Sequence, residues 1–267
     1  MRGQQVLVLG GGDVGSAVAH ALYQRGDRVL LCDRNQSAHA RRGMAYTDAL
    51  FEGRASLEGV EARLCATISE VRQCWKAGDA IPICTQPDDL LLREEGFDVV
   101  VDASMRRDPA RPDRREFAGC VIGLGPGYVP GSNCHVAVET QWGPQLGVVL
   151  VDRPAAARSG GPRPLAGVGR ERFVSAPISG RWETTAGLGK AVTEGQAIGR
   201  IGEAVVTAPL SGYLRGLSRD GVDVSAGQRI VEVDPRPDPQ VFGRGERPMR
   251  IARGVVQVLE MRDGRNA

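Results

Sequence analysis

The sequence predicts an α/β chain in two parts: a parallel sheet with crossover helices in the first half, then an all-β module. Three observations carry that prediction. A buried-strand pattern runs straight into Gly10-x-Gly12-x-x-Gly15 and then into helical spacing. Further apolar runs, at Ala80 to Cys84 and Phe97 to Asp102, follow at the intervals of strands buried on both faces. The second half repeats itself at one constant offset, with matching turn residues.

The chain of 267 residues is long enough for two modest domains or one large one. Thirty-four basic residues face 32 acidic ones, and the formal charge of +2 gives no strong preference for a polyanion or a lipid surface. Neither a nucleic-acid partner nor a membrane is therefore expected. The opening run "VLVLGGG" is too short and glycine-rich for a secretory leader, and no apolar run approaches the ~20 residues of a membrane span. A cytoplasmic location follows as an expectation. The six cysteines, Cys32, Cys65, Cys74, Cys84, Cys120 and Cys134, contain no C-x-x-C pair. They are expected as reduced thiols, without a metal site.

The elements follow in order. Val6 to Leu9 is a buried strand; Gly10, Gly12 and Gly15 make the turn; Val18, Ala21 and Leu22 recur at helical spacing. Gly26 ends that helix, Val29 to Cys32 makes a second strand, and Asp33 closes it roughly 20 residues after the glycines, the context of a dinucleotide fingerprint. Gly10 permits the tight turn, Gly12 lets backbone approach a phosphate, and Gly15 lets the helix pack closely. The helix N-terminus attracts an anion, and Asp33 can accept from a ribose hydroxyl. The first half thus reads as Rossmann-like. Asp13 is the unusual member: its carboxylate either opposes a pyrophosphate, caps the helix or holds a cation. Asp102 ends "FDVVVDAS" beyond a strand's carboxyl end, either as a site residue or as a helix cap. "RRDPARPDRRE" is a solvated, proline-broken segment. Arg41 and Arg42 are either surface charges or reach a phosphate from near the second strand.

The central loop is "VIGLGPGYVPGSNCHVAVET". Pro126-Gly127 is a type II turn signal. The amides of Gly125, Gly127 and Gly131 suggest an anion nest, and Gly123 enters it from the strand. In the following strand His135 and Glu139 share a face, roughly 13 Å apart, so they are not a bonded pair. Cys134 points to the opposite side from His135, which argues against a Cys-His dyad. "DRPAAARSGGPRPLAGVG" then reads as a linker or covering loop.

The repeat aligns Ala176-Pro177 with Ala208-Pro209, Gly180 with Gly212, Gly189 with Gly221, and Gly195-Gln196 with Gly227-Gln228. Each half reads as strand, turn, strand, then a turn into another strand, and two such halves must interlock to bury a core. The pattern resembles the barrel-sandwich hybrid of biotinyl and lipoyl domains. Carrier domains of that kind present a lysine where the halves join; here Glu203 and Ala204 stand there, so no biotin or lipoyl group is expected. The division is 1–152 for the Rossmann-like domain, 153–171 for the linker, 172–235 for the barrel-sandwich module and 236–267 for a tail packing back on the fold.

Taken together, "LGGGDVGSAVAHAL", "RRGMAYTDALFEG", "FDVVVDAS", the central loop and "YLRGLSRDGVDVSAGQRIVEVDPR" resemble the accessory proteins of the selenium-dependent molybdenum hydroxylase system, in the same order over nearly the whole chain. The resemblance implies a maturation role: binding or inserting the pterin-based molybdenum cofactor, or its dinucleotide form, for a molybdenum hydroxylase client. Gly10, Gly12, Asp13, Gly15, Asp33, Asp102, Gly123, Gly125 and Gly127 then border the cofactor's phosphate or nucleotide, and Cys134, His135 and Glu139 its metal or chalcogen end. The chain departs from the family at Gln141-Trp142-Gly143-Pro144, where Arg-Gly-His is usual, and at "RSGGPRP", which replaces an Asn-Thr-Gly loop. Those departures leave open whether a reaction is catalysed. An NAD(P)-dependent oxidoreductase and a non-catalytic structural adaptor are the alternatives, and a homo-oligomer stays possible in each.

Overall fold

The computed structural model describes residues 3–34, 37–85, 95–105, 110–157 and 161–265. Part of the charged segment, 106–109, and part of the linker, 158–160, lie outside them. The first nine strands are β1 (Gln5–Leu9), β2 (Arg28–Asp33), β3 (Arg54–Leu57), β4 (Val60–Leu64), β5 (Ala80–Thr85), β6 (Val99–Asp102), β7 (Cys120–Leu124), β8 (Val136–Val138) and β9 (Val149–Leu150). They form one sheet in the order β3-β4-β5-β2-β1-β6-β7-β8-β9. The helices are α1 (Asp13–Arg25), α2 (Ala49–Glu52), α3 (Ile68–Ala77) and α4 (Glu246–Arg265).

The expected fold class is corrected here. The sheet is mixed, not the parallel sheet of a Rossmann-like unit: β3–β4 and β8–β9 are antiparallel pairs at its two edges. The first edge is a hairpin closed by Glu58 and Gly59, both at positive φ (47° and 81°), the backbone of a two-residue turn. The other edge follows from Gly147, whose φ of 85° turns the chain back along β8. Nor does the second half join that sheet as a single hybrid module. Its strands are β10 (Phe173–Ser175), β11 (Gly180–Glu183), β12 (Ala191–Val192), β13 (Ala197–Ile201), β14 (Ala204–Thr207), β15 (Gly212–Leu217), β16 (Asp223–Val224) and β17 (Arg229–Asp234). They make two four-stranded sheets, β10-β17-β15-β12 and β14-β13-β11-β16.

The sequence repeat has a direct structural counterpart. Gly195 N–H donates to Ala208 O and Ala208 N–H to Gln196 O, at 2.9 and 2.8 Å. Gly227 and Gln228 make the same pair of bonds with Ala176, both at 2.8 Å. The Gln196 and Gln228 side chains each accept from the amide three residues back, at 3.0 Å. Each half-repeat is thus closed by the other, around a core with fully buried Trp182, whose Nε1 donates to Ser218 O at 3.1 Å.

Two structural ties bind the halves. α4 sets Ile251, Ala252, Val255 and Leu259 into the same apolar cluster as Val14, Val18 and Leu22 of α1. Residues 38–42 form a strap held by the second half: Ser218 Oγ donates to Ala38 O (2.8 Å), Leu217 N–H to Ala40 O (2.7 Å), and Arg42 Nε to Leu217 O (3.1 Å). The expectation of six reduced thiols is also corrected. Cys32 and Cys84, register partners on β2 and β5, form a disulfide, while Cys65, Cys74, Cys120 and Cys134 are free and buried.

Candidate ligand-binding cleft

The glycine turn is built tightly. Gly10 has a φ of 98°, and a Cβ there would sit 2.7 Å from Ser104 Cα; a Cβ on Gly15 would overlap the Gly10 carbonyl oxygen. Both glycines are therefore demanded by the packing of α1 against the ends of β1 and β6. The approach to Gly12 is different. There a Cβ would meet the His39 ring at 3.2 Å, and over Gly11 the Asp33 carboxylate at 2.9 Å. His39 Nε2 accepts the Asp13 amide N–H at 3.2 Å. Burial lowers the His39 pKa against the opposing pull of Asp13, so the ring is a neutral acceptor. The strap thus brings an imidazole to the place where a dinucleotide phosphate was expected. Asp33 itself accepts the Arg34 amide at 2.7 Å.

The central loop spends its polar groups on itself. A Cβ on Gly123 would overlap the Tyr128 ring, and one on Gly125 would lie 2.5 Å from Thr140 Oγ1. The amides of Gly125 and Gly131 donate to Val138 O (3.1 Å) and Cys134 O (2.9 Å), and Gly127 O accepts from Asn133. The expected anion nest is corrected for that reason: its amides at Gly125 and Gly131 already have acceptors. His135, immediately before β8, accepts the Val121 amide on Nδ1 at 2.9 Å. Glu139 follows the other end of β8. Cys134 is fully buried, and burial pushes its thiol up to about 11. These three residues do not converge.

Two of the expected carboxylates are anchors. Buried Asp102 accepts from the Ser104 amide (3.0 Å) and from Arg114 (3.2 Å). Buried Glu139 takes three amides: Thr140 at 2.7 Å and Gln141 at 2.8 Å on Oε1, and Ala156 at 2.8 Å on Oε2. Its fixed carboxylate holds Thr140, Gln141 and Ala156 at the wall of a large cleft.

That cleft, of about 1040 Å³, opens between the carboxyl-end loops of the nine-stranded sheet and the second half. Its size suits a small-molecule ligand. Eight arginines line it, against two carboxylates, Asp13 and Glu246. At its base lies Glu232, 1% exposed on β17. Glu232 Oε2 accepts Arg41 Nε at 2.6 Å, and Oε1 accepts Arg41 (3.2 Å), Arg172 (3.2 Å) and Arg215 (2.8 Å). Arg41 reaches on to Asp13 at 3.1 Å. Beside them buried Asp234 pairs with Arg236.

The charges explain one another. Burial raises the Glu232 pKa, but Arg41, Arg215 and Arg172 outweigh it and hold the carboxyl below its usual value. Burial likewise opposes Asp13, yet the guanidiniums of Arg41 and Arg247, with the Arg41 hydrogen bond, bring it down to about 2. Burial lowers the Arg172 pKa, and the attraction of Glu232 does not restore it, because Arg41 and Arg215 repel the same guanidinium. Three cations gathered on one buried anion leave positive potential facing the cleft, which an anionic ligand relieves.

Asp13 and Arg41 are the members of this group that the sequence suggested. Glu232 carries a faint signal, a carboxylate inside the apolar strand "RIVEVD". Arg172 and Arg215 have none, since only folding brings them to Glu232. Among the described residues no three His, Cys, Asp or Glu side chains converge as a metal site, and no helix is long and apolar enough to cross a membrane.

No protein-family model matches this chain. It is similar to the uncharacterized protein YqeB of Escherichia coli (strain K12), 34% identical over 259 residues. That match covers 97% of this chain and 48% of the relative, so the chain spans about half the length of the curated relative it matches. Among solved structures, a succinylglutamatedesuccinylase/aspartoacylase from Rhodobacter sphaeroides is 13% identical over 88% of this chain and 87% of that one, with a TM-score of 0.26. The ectoine utilization protein EutE (DoeB) from Ruegeria pomeroyi is 11% identical over 87% and 85%, also at 0.26. Likeness at these scores carries no argument about activity. None of these proteins is described as a molybdenum hydroxylase or its accessory protein, and the molybdenum-hydroxylase label is corrected to that extent. The Rossmann and barrel-sandwich labels are corrected by the mixed nine-stranded sheet and the two four-stranded sheets.

Proposed function

We propose that this chain is a binding protein for a polyanionic, phosphate-bearing small molecule, held in the arginine-lined cleft. The observation that carries the reading is buried Glu232 under the guanidiniums of Arg41, Arg172 and Arg215. Arg41, Arg172, Arg215 and Arg236 outnumber the carboxylates that pair with them, Glu232, Asp13 and Asp234, and the shortfall faces a cleft of ligand size. Arginine forks match phosphate oxygens in geometry as well as charge. Asp102 and Glu139 are both committed to anchoring bonds, which favours holding a ligand over transforming it.

The phosphate of a pterin-based molybdenum cofactor is an anion of this class, and the donor set fits that end of it. When bound, such a cofactor supplies redox chemistry to a client enzyme; the residues here would grip its phosphate. Holding it in the cytoplasm for a molybdenum hydroxylase rests on the sequence resemblance alone. An NAD(P)-dependent oxidoreductase is the weaker reading, because His39 takes the amide that a pyrophosphate would use.

The test is to purify the protein natively from cells making the cofactor and identify what it releases on denaturation. The wild type is expected to release a phosphate-bearing compound near one per chain, and Arg215→Met to release little. Wild-type protein that releases no anionic compound and takes up none from solution sinks the reading.

A further inference from the structure

We infer that the ligand class of the cleft is a planar aromatic ring bearing a phosphate monoester, with its phosphate on Arg41, Arg172 and Arg215 and its ring on Trp142. This rests on the binding reading above and narrows it. The charge comes first. Arg41, Arg172, Arg215 and Arg236 face Glu232, Asp13 and Asp234, one anion short of neutrality, with Asp234 pairing both Arg236 at 2.6 Å and Arg215 at 3.8 Å. A phosphate monoester carries about −1.5 to −2 at neutral pH and three strong acceptor oxygens. It supplies the missing charge with acceptors for several guanidinium donors.

The ring end follows from the two aromatic side chains in the same cleft. Phe173 is fully engaged: Arg172 lies 4.3 Å and Arg229 4.2 Å from its centroid, and Arg172 is held by Glu232. Phe173 is a strut for the phosphate end. Trp142 is different. It packs against the core cluster of α1 and α4, and the Arg163 guanidinium lies over its ring at 4.7 Å. Arg163 is more than half exposed and also bonds Glu246 at 2.9 Å. A ligand ring can therefore take the place of Arg163 on the indole while Arg163 keeps a partner. A solvent-exposed cation–π contact is weak, and stacking of a heterocycle on an indole exceeds it.

The experiment is calorimetric titration of the full chain with inorganic phosphate, guanosine and GMP, with tryptophan fluorescence read in parallel. GMP should bind at least about tenfold tighter than phosphate, as stacking of one base implies. It should bind tighter than guanosine as well, and it should quench fluorescence. Trp142→Ala should erase the advantage of GMP and leave phosphate affinity unchanged; Trp142→Phe should keep most of it. Arg163→Ala should not weaken GMP. The fluorescence is informative because Trp182 is fully buried and Trp75 donates to Val29 O away from the cleft. If phosphate binds and GMP gains nothing, or Trp142→Ala keeps the gain, this inference is overturned and the anion-binding reading stands. If neither phosphate nor GMP binds the wild type, both fall.

Discussion

Replacing Glu232 with glutamine removes the only carboxylate that Arg41, Arg172 and Arg215 share. The partners are well shielded, at 28%, 3% and 12% side-chain exposure, so solvent screening discounts the loss only modestly. Four charge-assisted hydrogen bonds of 2.6 to 3.2 Å end on this group. Such bonds are not additive, and breaking a buried ion pair from one side costs about 3–5 kcal/mol. In a chain of this size that is a fall in Tm of about 5–9 °C. The pH dependence has a definite sign. The folded carboxyl titrates below its ordinary value, so its contribution is complete above the unfolded pKa of about 4.3 and disappears as pH falls through the folded one. Denaturant unfolding of wild type and Glu232→Gln should show a constant gap at neutral pH that closes on acidification. A loss under about 1 kcal/mol, or a gap that persists in acid, would refute the charge account of this cluster.

Other expected outcomes are independent of the ligand. Gly15→Ala should abolish folding of the first half, seen as loss of the cooperative transition, because its Cβ would overlap the Gly10 carbonyl. Gly26→Ala, at φ 95° with open space around it, should cost only about 1 kcal/mol. Glu139→Gln leaves one oxygen for three amides; a loss of about 1–3 kcal/mol is expected, with faster hydrogen exchange at Thr140, Gln141 and Ala156. Trp182→Ala should cost about 3–5 kcal/mol by chemical denaturation, as a fully buried indole whose N–H bond is also lost. Arg215→Met should change stability by less than about 1 kcal/mol, because it removes one of three mutually repelling cations and keeps apolar volume.

The sequence was most readable where structure is local. The Gly10 to Gly15 turn and the strands around it are fixed by residues within one turn of each other. The half-repeats are readable because Ala176, Ala208, Gln196 and Gln228 recur with their bonding pattern. The hairpin of β3 and β4 carried a signal that went unused, Glu58-Gly59 between two alternating runs; missing it made the sheet look parallel throughout. Cys134, His135 and Glu139 were grouped by the family resemblance; the strand spacing already set His135 and Glu139 about 13 Å apart, and they flank β8 at opposite ends. The cleft was hidden for the reverse reason. Arg41, Arg172, Arg215 and Glu232 are scattered along the chain: the pairing of β10 and β15 with β17 sets Arg172 and Arg215 beside Glu232, and the docking of the 38–42 strap on the second half adds Arg41. His39 reaches Gly12 by the same strap.

The central claim is that the arginine cluster on buried Glu232 makes the cleft an anion site. Calorimetric titration of wild type and Arg215→Met with inorganic pyrophosphate, at two ionic strengths, tests it most directly. The account predicts saturable one-to-one binding by the wild type, weakened by added salt and at least about tenfold weaker in Arg215→Met at unchanged stability. No saturable heat in the wild type, or equal affinities in the two proteins, would contradict it.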